Sequence, residues 1–357
     1  MKRERWIMMM TAALIMIGLI MLFSASSFIA YQNSHFNNDP YFFLKRQFFH
    51  MIIGIFAFFT AKSLKLTFLK RIGLPLVIIS LILLVLVLIV GDRTNGAKRW
   101  LDIGIISFQP SVVAEFSLIL FLSSFASSFR VFSIKKKWAY LALAFTPVPL
   151  ILFEPNISTA VIMAGFIIII LFISGIEKKF YMSPLAVMGL TLFVMIPKYS
   201  YAVSRLSSFM GSNPDHTQTE ASLLAFGSGG FFGEGIGLGR LKLLFIPEAY
   251  SDFIFSIIGE ELGLIGALLV LGAFIFLLYQ GLMVAKNTYS PFGKILAFSI
   301  SLFIFLKALL HMAISVKLLP TTGIGLPFIS YGGTSLIINM ALIGILIRIA
   351  QNEKKYV

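Results

Sequence analysis

Four carboxylates, Glu248, Asp252, Glu260 and Glu261, fall within fourteen positions of a chain that holds only 15 Asp and Glu in 357 residues. They straddle the start of a long apolar run, FIFSIIGEELGLIGALLVLG, and that position allows three kinds of chemistry. A carboxylate within reach of a hydroxyl can accept its proton as a general base. An Asp just before a helix can cap its first turn. A carboxylate deeper in an apolar helix needs a partner, because an isolated charge in lipid is costly. Asp252 suits both of the first two roles, and they are compatible, since a capping Asp still has a second oxygen to present. Glu248 either orients the same site or is a solvated loop charge. Glu260 and Glu261 lie about two turns deeper, where at least one of them should be paired.

The elements that carry these residues are membrane helices. Apolar residues make up 58% of the chain and mean hydropathy is +0.94, so a soluble globular core is excluded. The absence of Cys excludes thiol catalysis, disulfides and Cys-ligated metal, and the four His show no paired metal-ligand spacing. The net charge of +14 sits beside apolar runs and in no RNA-binding motif, which points to anionic lipid and away from nucleic acid.

The expected fold is all-α and polytopic, one integral membrane domain over residues 1–357. About ten spans are expected, near 7–29, 47–62, 72–90, 110–128, 138–154, 157–174, 181–197, 253–283, 293–316 and 329–350. The first, behind the basic start MKRERW and without a small-residue cleavage site, reads as a retained signal anchor. An even count puts both termini on one side. Placing them in the cytoplasm puts the larger part of the 29 Lys and Arg inside, including the runs 62–71, 135–137 and 178–179, as the positive-inside rule requires. The short second and fifth spans, with Pro147 and Pro149, predict tilted or broken helices.

Most of the acidic residues then face out, and the polar sequence concentrates in a large outer loop of about 198–252 between spans seven and eight. Both signs of charge on that face suit a site that holds an anionic substrate and removes a proton. Within the loop, AFGSGGFFGEGIGLG (225–239) has no strand–GxGxxG–helix context for a dinucleotide. Its glycines either allow tight turns at the membrane surface or free backbone amides to approach a pyrophosphate.

Six segments in order, NGAKRW (95–100), ISFQPS (106–111), EPNISTA (154–160), GEGIGLG (233–239), PEAYSDFIFSIIGEELG (247–263) and LPTTGIGLPFISYGGTS (319–335), resemble the SEDS family of shape, elongation, division and sporulation proteins. The resemblance runs from first span to last. The pattern Arg205, Phe209, Pro214 and the later IGEELG are closer to the division branch (FtsW type), while TGI at 322–324 is closer to the elongation branch (RodA type).

That resemblance implies a peptidoglycan glycosyltransferase of the bacterial cytoplasmic membrane, which polymerises lipid II and releases undecaprenyl pyrophosphate. Asp252 matches the family's essential carboxylate, expected to accept the proton of the attacking sugar hydroxyl. Candidate cations for the pyrophosphate are Arg93, Lys98, Arg99, Arg205, Arg240 and Lys242, with Lys242 the best match; each is equally suited to anionic headgroups. Trp100 either stacks on a sugar or joins the interfacial aromatic belt. No cofactor is certain; a divalent ion, Mg or Mn, bridging Asp252 and the pyrophosphate is compatible, but no ligand set can be read from the sequence. The implied partners are lipid II, a class B penicillin-binding protein and other divisome or elongasome membrane proteins.

The chain departs from the family pattern at four positions. Val112 and Glu115 stand where the family has Glu and Lys, and Asn156 and Ser158 replace the Asp and Gly of EPDxGT. These changes dismantle an expected buried charge cluster, leaving Glu115 without an obvious basic partner. Two other functions compete with the enzyme. One is a lipid II flippase, which ten spans with polar groups inside also suit, but which should show inverted repeats and broken mid-membrane helices, where the sequence shows no internal repeat. The other is a scaffold for the transpeptidase, in which case the departures mark weakened catalysis.

Overall fold

The computed structural model describes residues 3–94, 97–103, 106–195, 218–243 and 248–352. Helices dominate: α1 Arg3–Gln32, α2 Phe42–Ser63, α3 Leu66–Val90, α4 Pro110–Ser128, α5 Ile134–Phe145, α6 Pro147–Phe153, α7 Ile157–Ile173, α8 Lys179–Met195, α9 Gln218–Gly229, α10 Ile254–Lys286, α11 Pro291–Ser315 and α12 Gly333–Asn352. Seven of them, α1 to α4 and α10 to α12, are long and apolar enough to cross a membrane. The fifth expected span is broken as its prolines predict, α5 ending and α6 beginning around Thr146 and Pro147. The second is not short but a continuous helix of 22 residues. Its Arg46 and Gln47 hid the first turns from an apolar-window reading.

The all-α expectation needs one correction. Between α3 and α4 the chain forms a three-stranded antiparallel meander: β1 Asp92–Thr94, β2 Ala97–Ile103 and β3 Ile106–Phe108. Asp92 pairs with Trp100, and Leu101 with Phe108. The sequence signal was present in Asn95-Gly96, the dipeptide most favoured between hairpin strands.

The chain clusters into two compact units: residues 1–59, 204–280 and 301–343, and residues 60–203, 281–300 and 344–357. In the second unit α3 packs on α4 through a stripe at helical spacing, Leu69, Gly73, Val77, Ser80, Leu84 and Val87, all buried. The opposite face, including Ile78, Ile82, Val85 and Ile89, is exposed, as a lipid-facing surface must be. Lipid is as apolar as these side chains, so burial gives little driving force; close packing and interhelical hydrogen bonds hold the pair. Ser117 donates to Ser80 Oγ at 3.0 Å, and Ser124 to the Lys70 carbonyl at 3.1 Å. A Cβ on Gly73 would come within 3.1 Å of the Phe121 backbone nitrogen, so α3 approaches α4 backbone to backbone.

Gly73→Val should therefore cost about 1–3 kcal/mol by overpacking, seen as a lower Tm in detergent. Gly165→Ala in α7, where a Cβ meets nothing within 4 Å, should instead raise Tm through helix propensity. Equal shifts for the two variants would refute the close-packing account.

Candidate active site

Asp252 lies in the first unit on a turn that leads into α10. Glu248 opens this turn with φ of 52°, an uncommon conformation for a side chain other than Gly. Its carbonyl accepts from Ser251 N at 2.9 Å and Asp252 N at 3.1 Å. The helix begins at Ile254, two residues after Asp252. Asp252 is half-buried, and a Cβ on Gly323 would sit 3.7 Å from its Oδ2, so the carboxylate faces the TGIG segment. The Glu248 residue is exposed.

A second stretch of the sequence, LPFISYGG, clamps this turn from the side. Tyr331 N donates to the Tyr250 carbonyl at 3.0 Å, and Ser330 Oγ to the Ser251 carbonyl at 2.6 Å. Ser330 Oγ also accepts from Leu326 N at 2.7 Å. From α2, Gln47 donates to the Ser330 carbonyl and accepts from Gly332 N, both at 3.3 Å. His311 of α11 is fully buried with Nδ1 2.7 Å from the Ile324 carbonyl, which tethers the other end of the segment. Phe43, Tyr250 and Tyr331 form an aromatic cluster with centroids 4.4–5.8 Å apart. Burial, with Glu248, Tyr331 and Asp252 adding to it, pushes the Tyr250 phenol well above its ordinary range, so it stays a neutral donor beside the carboxylates. Gln47, His311 and Ser330 were missed from sequence; a Gln or His within an apolar span was the available signal.

The two deeper carboxylates hold the backbone together. At Gly263, with φ 68° and ψ −170°, α10 is interrupted. The break frees carbonyls on one side and amides on the other, and the glycine-rich segment pairs with both. Glu234 N and Gly235 N donate to the carbonyls of Glu260 and Glu261 at 2.9 and 3.1 Å, while Leu264 N and Ile265 N donate to those of Gly230 and Phe231 at 2.9 and 3.2 Å. Gly233 has φ of 83° and touches the Glu261 carbonyl so closely that a Cβ would collide with it. Tight turning, one of the two roles the sequence allowed for these glycines, is present at Gly233, against a broken helix.

The side chains complete the junction. Glu260 Oε1 accepts from the amides of Arg240 and Leu241 at 2.6 and 3.0 Å. Glu261, 1% exposed, forms an ion pair with Lys242 and accepts from Ser24 Oγ of α1 and from Gly237 N. Lys242, 4% exposed, also donates to Ser24 Oγ at 2.7 Å. The expected pairing of the deep carboxylates is thus met, by the very lysine expected at a pyrophosphate.

Two more candidate cations are occupied at helix ends in the second unit. Lys98 Nζ donates to the Ile89 and Leu88 carbonyls at 2.9 and 3.4 Å, closing the C-terminus of α3. Arg99 Nε donates to the Glu154 carbonyl at 3.1 Å and Nη2 to that of Pro155, just beyond α6. Trp100 is half-buried on β2. Arg240 has an exposed side chain. Arg205 lies outside the described residues, as do Phe209 and Pro214. The structure brings Asp252, Glu248 and Lys242 into one unit, and Lys98, Arg99 and Trp100 into the other.

The departures resolve in part. Asn156 caps α7, accepting from Thr159 N at 3.4 Å. Val112 and Glu115 are both buried in α4. Among the described residues no group of three or more His, Cys, Asp or Glu is placed to hold a metal ion.

A polytopic helical membrane protein with a clamped, half-buried carboxylate at the mouth of a broken helix is the class that fold and site define. Residues 5–355 match the cell cycle protein family FtsW/RodA/SpoVE, and the chain belongs to that family. It is 34% identical to the probable peptidoglycan glycosyltransferase FtsW of Trichlorobacter lovleyi, over 98% of this chain and 93% of that one. Identity to the protein of the same name from Legionella pneumophila is 33%, over 98% and 91%. The crystal structure of the rod shape determining protein RodA of Thermus thermophilus superposes with a TM-score of 0.71 at 25% identity, over 98% and 96%. A chain of a peptidoglycan synthase complex shares the fold, with a TM-score of 0.78 at 24% identity.

Lys242→Ala should lower Tm by an amount matching about 3–5 kcal/mol, because it strands a buried carboxylate. Glu261→Gln added to it should recover part of the loss; strictly additive losses in a double-mutant cycle would refute the pairing.

Glu154 supports a pH test. It is 0% exposed, and neither carboxyl oxygen has a hydrogen-bond partner among the described residues. Burial pushes its carboxyl up to about 8, with Arg99 partly opposing. A raised folded-state pKa means that the folded protein holds the proton longer, so stability should fall between about pH 4.5 and 8. Glu154→Gln should flatten that part of the Tm profile; an unchanged slope would refute the assignment.

Proposed function

We propose that this chain polymerises lipid II at the outer face of the bacterial cytoplasmic membrane, with Asp252 as the general base. The carrying observation is the half-buried Asp252 carboxylate on a turn bonded by Ser330 and Tyr331, a segment that Gln47 holds in turn. A hydroxyl of one disaccharide attacks the anomeric carbon of the other, and Asp252 takes its proton. The bond from that carbon to undecaprenyl pyrophosphate breaks as the new glycosidic bond forms. A carboxylate so positioned contributes about 10²–10⁴-fold by general base catalysis.

The substrate's lipid has a fitting surface in the same unit. A groove of about 900 Å³ between α1 and α2 has apolar walls that include Phe23, Phe28 and Phe48, with Lys45 and Lys242 among its lining. Apolar walls suit an isoprenoid chain, and the ammonium groups suit its pyrophosphate. In this reading Lys242 serves stability first and the leaving group second. A divalent ion, Mg or Mn, would take Asp252 and the substrate's own phosphates as ligands.

The topology that goes with this function has ten spans: the seven long helices, α7, α8 and the broken pair α5–α6. Both termini lie in the cytoplasm, and the outer loop of about 198–252 carries the glycine-rich segment. The division branch is favoured by the named relatives. A class B penicillin-binding protein is the proposed partner, supported by the fold shared with a chain of a synthase complex that polymerises and crosslinks. The breaks at Gly263 and between α5 and α6 are observations on the transporter side, but loop amides and carbonyls fill the one at Gly263, so it seats a loop and does not line an open path.

Asp252→Asn should abolish glycan polymerisation from purified lipid II, assayed with the cognate partner, and leave Tm within about 2 °C, since a surface-near amide for carboxylate swap disturbs little. Wild-type-like glycan from the Asn variant would remove Asp252 from the mechanism. An inactive wild type would favour the scaffold reading.

A further inference from the structure

The second unit has a cavity that the proposed reaction does not use. It measures about 450 Å³ and opens where α3 begins and α4 ends. Lys70 and Arg71 of α3 line it, facing Ser128 of α4 and an aromatic wall that includes Phe125, Phe132 and Tyr140. Ser124 also lines it, and its bond to the Lys70 carbonyl ties the two sides together.

Charge, depth and wall chemistry define its occupant. Neither Lys70 nor Arg71 forms an ion pair among the described residues, and no acidic residue lines the cavity. A third cation extends the field: Lys136 Nζ lies 4.8 Å from the Phe132 centroid and 5.6 Å from that of Tyr140. Adjacent unpaired cations repel each other, and an anion between them removes that cost. Lys70 sits in the second turn of a helix that crosses the membrane, the depth of lipid headgroups. A bare inorganic ion would gain nothing from the aromatic wall, whereas a headgroup has apolar carbons attached to its phosphate.

We propose that this cavity binds the headgroup of an anionic phospholipid, with the phosphate on Lys70 and Arg71 and the glycerol end against the aromatic wall. The site does not depend on the glycosyltransferase reading, and the topology above assigns it to the inner leaflet.

The test is native mass spectrometry of the full-length protein, delipidated in detergent and titrated with dioleoyl phosphatidylglycerol or dioleoyl phosphatidylcholine. The wild type should retain one phosphatidylglycerol saturably and no phosphatidylcholine. Lys70→Ala/Arg71→Ala should weaken retention about tenfold. Ser128→Phe, which fills the cavity without changing charge, should do the same. Lys178→Ala/Lys179→Ala, which removes equal charge elsewhere, should leave it unchanged. Retention without saturation, an effect of the control pair equal to that of Lys70 and Arg71, or undiminished binding by a folded Ser128→Phe variant would each overturn the proposal. Each outcome is independent of whether the protein makes glycan.

Discussion

The arrangement around Asp252 depends on one constraint, that backbone groups freed at a break in a membrane helix must find partners inside the protein. At Gly263 α10 stops and restarts, and the segment from Gly230 to Gly235 supplies two carbonyls and two amides to match. An unmatched group in lipid costs several kcal/mol, so loop and break specify each other. Glu260 and Glu261, the last residues but one before the break, add their side chains to the same junction and recruit Lys242 and Ser24. Nine residues upstream of the break, the short first segment of α10 starts at the turn that presents Asp252.

The turn that carries Asp252 is held through its backbone. The Ser251 and Asp252 amides donate to the Glu248 carbonyl, and the Tyr250 and Ser251 carbonyls accept from Tyr331 N and Ser330 Oγ. These bonds fix the backbone that carries the side chain. Tyr250, neutral and close by, adds a donor without adding charge.

Helix positions were legible in the sequence because apolar runs of this length have few other fates; α4 begins and ends where the hydropathy placed it. The β meander left only the Asn95-Gly96 dipeptide as its signal, because its outer strands of three residues carry almost no periodicity and lie between two dominant apolar runs. Asp252 stood out through its motif. The destinations of Lys98, Arg99 and Lys242 were illegible for a different reason. A cation beside an apolar run looks the same whether it meets a phosphate, a helix C-terminus or a buried carboxylate, and only the three-dimensional partner decides. Glu260 and Glu261 show the converse, since the cost of burying a carboxylate predicted a partner without identifying it.

The division of the chain also sets an order of assembly during synthesis. The second unit draws most of its residues from the contiguous stretch 60–203, so α3 to α8 can pack as they leave the ribosome, in the manner of domains that form from the N-terminus onward. The first unit is assembled from three distant stretches, and Ser24 acquires Lys242 and Glu261 only after more than 200 further residues have been made. Ser24 waits for both, whereas Glu261 is made when Ser24 and Lys242 already exist. The turn that carries Asp252 is completed later still, when the segment around Ser330 and Tyr331 has been made, so the first unit closes only near the end of synthesis.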